Sequence, residues 1–263
     1  MLKGFCLIAL ISQTLMTKGL KNAIAFHHRR SPRLIAKASL SAKETTVKPK
    51  YATTERNSLP SIREKHYLSE NYDIVIGVDE AGRGPLAGPV VSASFAINRN
   101  SEKIKEVNDS KRISEQQRES LFAQLTSDST ARYTVNVTSR EVIDEINILQ
   151  ATMESMKNSV AELLSKENGK KAVVLIDGNK IPSGILAACE CIVRGDSKEY
   201  CIAAASIIAK VTRDRIMIEC GKKYPKYGFD EHKGYGTVKH LAAIKEHGPC
   251  PEHRKSFKPL RKD

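Results

Sequence analysis

Two short apolar runs, each ending on an acid that is followed by glycine, constrain this chain more than anything else in it. Tyr72–Asp79 reads YDIVIGVD and enters a turn holding Gly82 and Gly84, and Lys171–Asp177 reads KAVVLID and enters Gly178-Asn179. The first is a strand-like apolar run and the second a strand of the buried type. Leu86–Ile97 reads as a second strand, Ala131–Thr138 as a β-branched one, and Cys191–Val193 as the close of a further short one. Ser114–Leu125 has helical spacing. Thr138-x-x-Glu141 makes a capping box for helical sequence through Leu164, with a candidate break near Asn147. Lys198–Cys220 reads as a long helix, apolar on nearly all sides from Ile202 to Ala209 and therefore interior. Its alanines 203–205 suit close packing on a sheet, and Thr237–His247 reads as a last helix. Strands first and helices interleaved later predict an α/β layer fold with a mixed sheet.

Composition excludes several classes. With 40% apolar residues the chain can fill a core, and no stretch reaches the roughly 18 uncharged apolar residues of a membrane helix. The six cysteines form no CxxC pair and read as reduced thiols; Cys189 and Cys191 lack the second ligand pair that a zinc site needs. An aromatic content of 5% offers no stacking platform, which argues against a single-strand binder. The net charge of +13 suggests a polyanionic partner, but residues 1–71 hold 13 basic and 4 acidic side chains while residues 72–263 hold 30 and 26. Most of the basicity thus precedes the part that reads as folded, and whole-chain charge says little about nucleic-acid binding.

That leading part reads as an address. Lys3 precedes an apolar run from Phe5 to Met16, and Ala23-Ile24-Ala25 has the small-residue spacing of a cleavage site, although Lys18 and Lys21 between them are atypical. After Phe26 follows a basic, hydroxylated stretch whose only acid before residue 55 is Glu44, the composition of a transit peptide. A signal-like part followed by a transit-like part resembles the bipartite presequences of algae with complex plastids. Residues 1–71 are expected to be a presequence and linker, disordered or removed. The destination expected is an organelle, plastid ahead of mitochondrion, with the cytoplasm as alternative. The competing reading is a retained basic arm that touches nucleic acid electrostatically.

The candidate chemistry lies in acids at strand ends. Hydrolysis of a phosphodiester needs an activated water and a stabilised leaving oxygen; two divalent ions held by clustered carboxylates provide both. Asp79 and Glu80 stand where a strand becomes a glycine-rich turn, and Asp177 ends the other apolar run, at the strand end that α/β sheets favour for ligands. Ordinary readings compete: Asp79 and Glu80 as exposed turn residues, Asp177 as an Asx-turn residue, and Asp196-x-x-Glu199 as a capping box opening the long helix. Lys210 and Arg213, three apart on that helix, face either phosphate or solvent. His232, His240, His247 and His253 lack metal-site spacing and read as structural or exposed.

Gly77-Val78-Asp79-Glu80-Ala81-Gly82-Arg83-Gly84-Pro85-Leu86-Ala87-Gly88-Pro89-Val90 resembles the opening motif of ribonuclease HII. Asp109-Ser110-Lys111, Ile176-Asp177-Gly178-Asn179-Lys180-Ile181-Pro182, Gly195-Asp196, residues 202–214, residues 232–237 and His253-Arg254-Lys255-Ser256-Phe257 follow in family order across residues 72–260. The wording of residues 177–180 and 202–206 is similar to the bacterial branch. The resemblance implies a ribonuclease-H-like fold, a mixed five-stranded sheet flanked by helices with a C-terminal helical extension, filling a catalytic domain over residues 72–263. It implies Mg²⁺- or Mn²⁺-dependent endonucleolytic cleavage of RNA in RNA–DNA hybrids and 5′ to single ribonucleotides in duplex DNA, leaving 3′-hydroxyl and 5′-phosphate ends; a monomer is expected. It assigns Asp79, Glu80, Asp177 and Asp196 as metal-binding catalytic carboxylates. Gly82, Arg83, Gly84 and Tyr235 become the readers of the ribonucleotide, and Ser110, Lys111 and Arg213 fall near the nucleic-acid backbone. The alternatives are a non-catalytic RNA–DNA duplex-binding module, or a related nuclease of the same superfold without junction specificity.

Overall fold

The computed structural model describes residues 59–127 and 131–261. The signal-like run, the Ala-x-Ala site and the transit-like stretch lie outside these residues. Strands β1 (Ile74–Ala81), β2 (Val90–Ile97), β3 (Tyr133–Thr138), β4 (Ala172–Asp177) and β5 (Ala188–Ile192) form one sheet in the order β3-β2-β1-β4-β5. β1 pairs antiparallel with β2 and β2 with β3, whereas β1–β4 and β4–β5 are parallel. This is the mixed five-stranded sheet expected. β2 starts at Val90 rather than Leu86, because Pro85, Gly88 and Pro89 keep the preceding residues in a turn.

Helix α1 (Ile62–Ser69) precedes the sheet, and α2 (Glu115–Ser127) and α3 (Arg140–Lys166) are the next helices in chain order. α4 (Tyr200–Lys223), α5 (Phe229–His232) and α6 (Val238–His247) follow the strands as the C-terminal helical part. No helix among the described residues is long and apolar enough to cross a membrane. The buried runs of β1 and β4 divide between two cores by strand alternation. Val75, Val173 and Leu175 face α4, where Ala203, Ala204 and Ala205 are fully buried, and Ile74, Ile76, Val78, Val174 and Ile176 face Met156, Val160 and Leu163 of α3. Gly77 sets how closely α4 approaches: a Cβ there would lie 2.2 Å from the backbone carbon of Cys201. The five described cysteines are free thiols.

Two local signals were resolved differently. Ser139, not Thr138, is the N-cap of α3, since Thr138 is still the last residue of β3. The break falls at Asn147 (φ 68°), whose Oδ1 accepts from the Leu149 and Gln150 N–H groups and caps the second half of α3. The Asp196–Glu199 capping box does not form. Asp196 sits in a 3₁₀ turn, Gly195–Ser197, and the Glu199 carboxylate accepts from the N–H groups of Arg63 and Glu64 at 3.1 and 3.2 Å. In return the fully buried Glu64 accepts from the Cys201 N–H at 2.6 Å in the first turn of α4 and pairs with Lys103. The two helices cap one another across more than a hundred residues of chain, each carboxylate at the positive end of the other.

The folded part therefore begins before residue 72, and the expected boundary cut into it. Removing residues 1–58 is expected to leave thermal stability unchanged. Removing residues 1–71 deletes Glu64 and leaves the buried Glu199 carboxylate without the Arg63 and Glu64 N–H groups that hold it, a loss of about 3–5 kcal/mol. At roughly 2–4 °C per kcal/mol, that lowers Tm by about 10 °C. Thermal unfolding of the two truncations checks this, and equal melting temperatures would show that the reciprocal cap contributes nothing.

Candidate active site

β1 outlasts β4. Its pairing with β4 ends at Val78–Ile176, while its pairing with β2 continues to Ala81–Val91. Asp79 and Asp177 thus come one step past the last parallel pair, side by side on the face covered by α4, and Glu80 stands where the strand has no β4 neighbour. Asp177 Oδ1 accepts the Gly195 N–H at 2.6 Å, which ties the 3₁₀ turn, and with it Asp196, to the end of β4. A Cβ on Gly195 would lie 2.5 Å from Ile202 Cδ1, so a larger residue there would have to push the buried Ile202 side chain aside. The four predicted carboxylates are therefore brought to one end of the sheet.

Their electrostatics show a deficit of positive charge. Burial pushes the Asp79 carboxyl well above its ordinary value, and Glu80 and Asp177 push it further, against the Ser206 hydroxyl and the Glu80 N–H. Glu80 is raised by burial and by Asp177, opposed by Arg83, whose Nη1 lies 3.4 Å from Glu80 Oε1. Asp177 is raised by burial and by Asp196, opposed by the Gly195 N–H and Lys111. Lys111 Nζ reaches Asp196 Oδ2 at 3.4 Å with its side chain 79% exposed. Burial alone would lower that ammonium, but Asp196, Asp79 and Asp109 hold it above its usual range. As placed, no three His, Cys, Asp or Glu side chains among the described residues converge tightly enough to hold an ion. An oxygen-only set with too little positive charge suits a hard divalent cation such as Mg²⁺ or Mn²⁺ and offers nothing to a thiophilic one.

The glycine turn Gly82-Arg83-Gly84 lies next to this cluster. Gly82 has φ +101°, and a Cβ would run into Arg213 at 2.1 Å and the Pro89 carbonyl at 2.7 Å. Gly84 faces Tyr235, whose ring is 3.6 Å from the place of a Gly84 Cβ and which is 45% exposed. Arg83 is half exposed.

Two predicted substrate contacts are corrected. Arg213 is buried, and its guanidinium donates to the carbonyls of Pro89 (3.0 Å), Lys233 (3.0 Å) and Ala87 (3.1 Å), so it holds the turn from beneath instead of facing phosphate. Lys210 is paired with Asp214 at 2.8 Å. Ser110 is buried too; its hydroxyl lies 2.9 Å from that of Ser206, the hydroxyl that opposes the upward shift of Asp79, so it stands behind the carboxylate. Sequence reasoning missed the part played by Arg254 and by the buried pair His240 and His253, whose Nε2 atoms are 3.0 Å apart. Their spacing gave no metal signal, and a basic motif near a chain end reads as solvent-exposed.

Comparisons with known proteins place the chain in a family. The family model described as Ribonuclease HII matches residues 76–260. The chain is 47% identical over 197 residues to the Ribonuclease HII of Endomicrobium trichonymphae, covering 75% of this chain and 91% of that one. It is 48% identical over 198 residues to the Ribonuclease HII of Xylella fastidiosa strain M12, covering 75% and 82%. The crystal structure of the ribonuclease H2 from Pyrococcus horikoshii OT3 superimposes with a TM-score of 0.57 at 28% identity, covering 72% of this chain and 95% of that one. The chain belongs to the ribonuclease HII family, endonucleases that degrade the RNA of RNA–DNA hybrids.

Proposed function

We propose that this chain hydrolyses the RNA strand of RNA–DNA hybrids and also cuts duplex DNA on the 5′ side of a single embedded ribonucleotide, leaving 3′-hydroxyl and 5′-phosphate ends. The observation that carries the proposal is the adjacency of two features: four carboxylates at the ends of β1 and β4, and a glycine turn with an exposed tyrosine beside it. Asp79, Glu80, Asp177 and Asp196 are the residues that would hold Mg²⁺ or Mn²⁺, as a monomer and without a partner's side chains. When bound, the ions supply activation of water and stabilisation of the leaving oxygen. Lys111 stands beside Asp196 with its ammonium exposed, positioned to meet a phosphate as the duplex enters. The turn and Tyr235 test the sugar, because a 2′-hydroxyl both donates and accepts and is what distinguishes RNA from DNA at one position.

The test is a DNA duplex carrying one ribonucleotide, titrated with Mg²⁺ and with Mn²⁺, with the cut mapped to the nucleotide. Cleavage at the 5′ side of the ribonucleotide is expected. Hybrid cleavage without junction cleavage would leave a nuclease lacking junction specificity, and binding without cleavage at every metal concentration would leave a duplex-binding module. The leading residues are proposed to direct the protein to an organelle, a plastid before a mitochondrion, on the strength of the apolar run, the Ala-x-Ala spacing and the acid-poor stretch alone. N-terminal sequencing of the mature protein decides, and an intact Met1 or Leu2 would reject it.

A further inference from the structure

His253 and Arg254 are consecutive, both fully buried, and bonded to opposite walls of the proposed reading site. Their backbone pairs with the segment that follows the glycine turn: Ala87 bridges His253, the Arg254 N–H donates to the Leu86 carbonyl, and the Gly88 N–H donates to that of Glu252. The Arg254 guanidinium then gives five hydrogen bonds, all to backbone carbonyls. Nε donates to Gly88 at 2.9 Å, Nη1 to Arg83 at 3.1 Å and Pro85 at 2.8 Å, and Nη2 to Gly82 at 2.7 Å and Pro89 at 3.0 Å. Burial, with the neighbouring Arg213, brings its pKa down to about 9. Burying a guanidinium without a carboxylate bond is costly, and an apolar side chain would fill the same space without that cost. What an apolar side chain would not do is dictate where those carbonyls point.

That direction matters on the opposite side of each peptide. In a trans peptide the carbonyl and the following N–H point opposite ways. With the carbonyls of Gly82 and Arg83 drawn inward to Arg254, the N–H groups of Arg83 and Gly84 face away from it. Neither finds an acceptor among the described residues.

The second wall is reached through histidines whose tautomers the geometry fixes. The Cys250 N–H donates to His253 Nδ1 at 2.9 Å, so the His253 proton is on Nε2. That proton is donated across 3.0 Å to His240 Nε2, which leaves His240 protonated on Nδ1. His240 Nδ1 donates to the Tyr235 carbonyl at 2.9 Å. Both rings are neutral in this arrangement, and burial holds both below the ordinary imidazole value, His253 at about 4.

We propose that His253-Arg254 is one positioning element for ribonucleotide recognition: Arg254 aims the Arg83 and Gly84 N–H groups at the 2′-hydroxyl, and His253, through His240, fixes the backbone of Tyr235. The inference rests on the reading of Gly82-Arg83-Gly84 and Tyr235 as the elements that recognise the ribose. A long hybrid offers a 2′-hydroxyl at every step and is aligned by duplex shape as well, whereas a single ribonucleotide offers one.

Arg254→Lys keeps the charge but presents three donors from one point instead of a planar fork, so the carbonyls lose their common direction. Its kcat/KM on a duplex with one ribonucleotide is expected to fall by about 10²-fold, the scale of a misplaced contact, and by far less on a long hybrid. Equal losses on both substrates would show that Arg254 only supports the fold. His240→Asn and His240→Gln form a second test that stands even if Arg254→Lys does not fold. An asparagine amide takes the place of Nδ1 and can still donate to the Tyr235 carbonyl, while a glutamine amide takes the place of Nε2 and cannot. Junction selectivity is expected to survive in the asparagine variant and to be lost in the glutamine one; identical behaviour rejects the histidine path. Tyr235→Ala, measured alongside, separates the two levels. An unchanged junction-to-hybrid ratio in both Tyr235→Ala and Arg254→Lys rejects the reader itself, and a ratio lowered only in Tyr235→Ala rejects the positioning role alone.

Discussion

Asp177→Asn is expected to abolish cleavage, a loss of at least about 10³-fold, since even the outer partners of metal-binding side chains are worth 10–100-fold. Folding should not suffer. The asparagine Oδ1 can still accept the Gly195 N–H, and β4 is held by Val173, Val174, Leu175 and Ile176, all buried. One negative charge is removed from a group whose members already repel, as the raised carboxyls of Asp79, Glu80 and Asp177 show. Melting temperature without added metal should therefore stay level or rise slightly. The increment in Tm on adding Mg²⁺, which follows from binding to the native state alone, should shrink in the variant. Cleavage by Asp177→Asn within tenfold of the parent at saturating Mg²⁺ would remove Asp177 from the catalytic set.

Tyr235→Ala is expected to lower cleavage at a single ribonucleotide by about 10²–10³-fold, part of the 10⁴–10⁵ available to a site built around a substrate hydroxyl. The ring is 45% exposed and flanks Gly84, with the Arg213 guanidinium 6.0 Å from its centroid, so its removal opens no buried cavity. The cost in stability should be small, within about 0.5 kcal/mol. Tyr235→Phe tells the ring from its hydroxyl. A silent phenylalanine variant together with a damaged alanine variant assigns the work to stacking against the sugar. Full junction activity in the alanine variant would remove Tyr235 from the site altogether.

The legible parts of this chain are those whose signal is local. An apolar run that ends on an acid before glycine carries its own meaning, so β1, β4, Asp79 and Asp177 could be placed from the residues themselves. Glu199 shows where that logic stops. Asp196-x-x-Glu199 has the spacing of a local cap, yet Glu199 caps α1, and Glu64 returns the favour from a segment taken for linker. No window of sequence contains both partners. Arg213 and Ser110 fail in another way: an arginine facing phosphate and an arginine donating to three carbonyls are the same letter, and only burial separates them. His240 and His253 meet because α6 and the last turn fold against each other, a proximity that their spacing along the chain does not encode.

The location of Arg254 has a consequence during synthesis. The turn it organises is made near the beginning of the folded part, but the guanidinium that bonds Gly82 is 172 residues later in the chain. At about 5–20 residues per second, the two are separated by roughly ten to thirty seconds of translation. Asp79, Glu80, Asp177 and Asp196 have all left the peptidyl-transferase centre before Arg254 is added, so a chain interrupted before Arg254 holds the acids without the buried tie. Under the proposed reading, such a fragment lacks the geometry for choosing where to cut. On that reading, the catalytic acids are made before the part that discriminates.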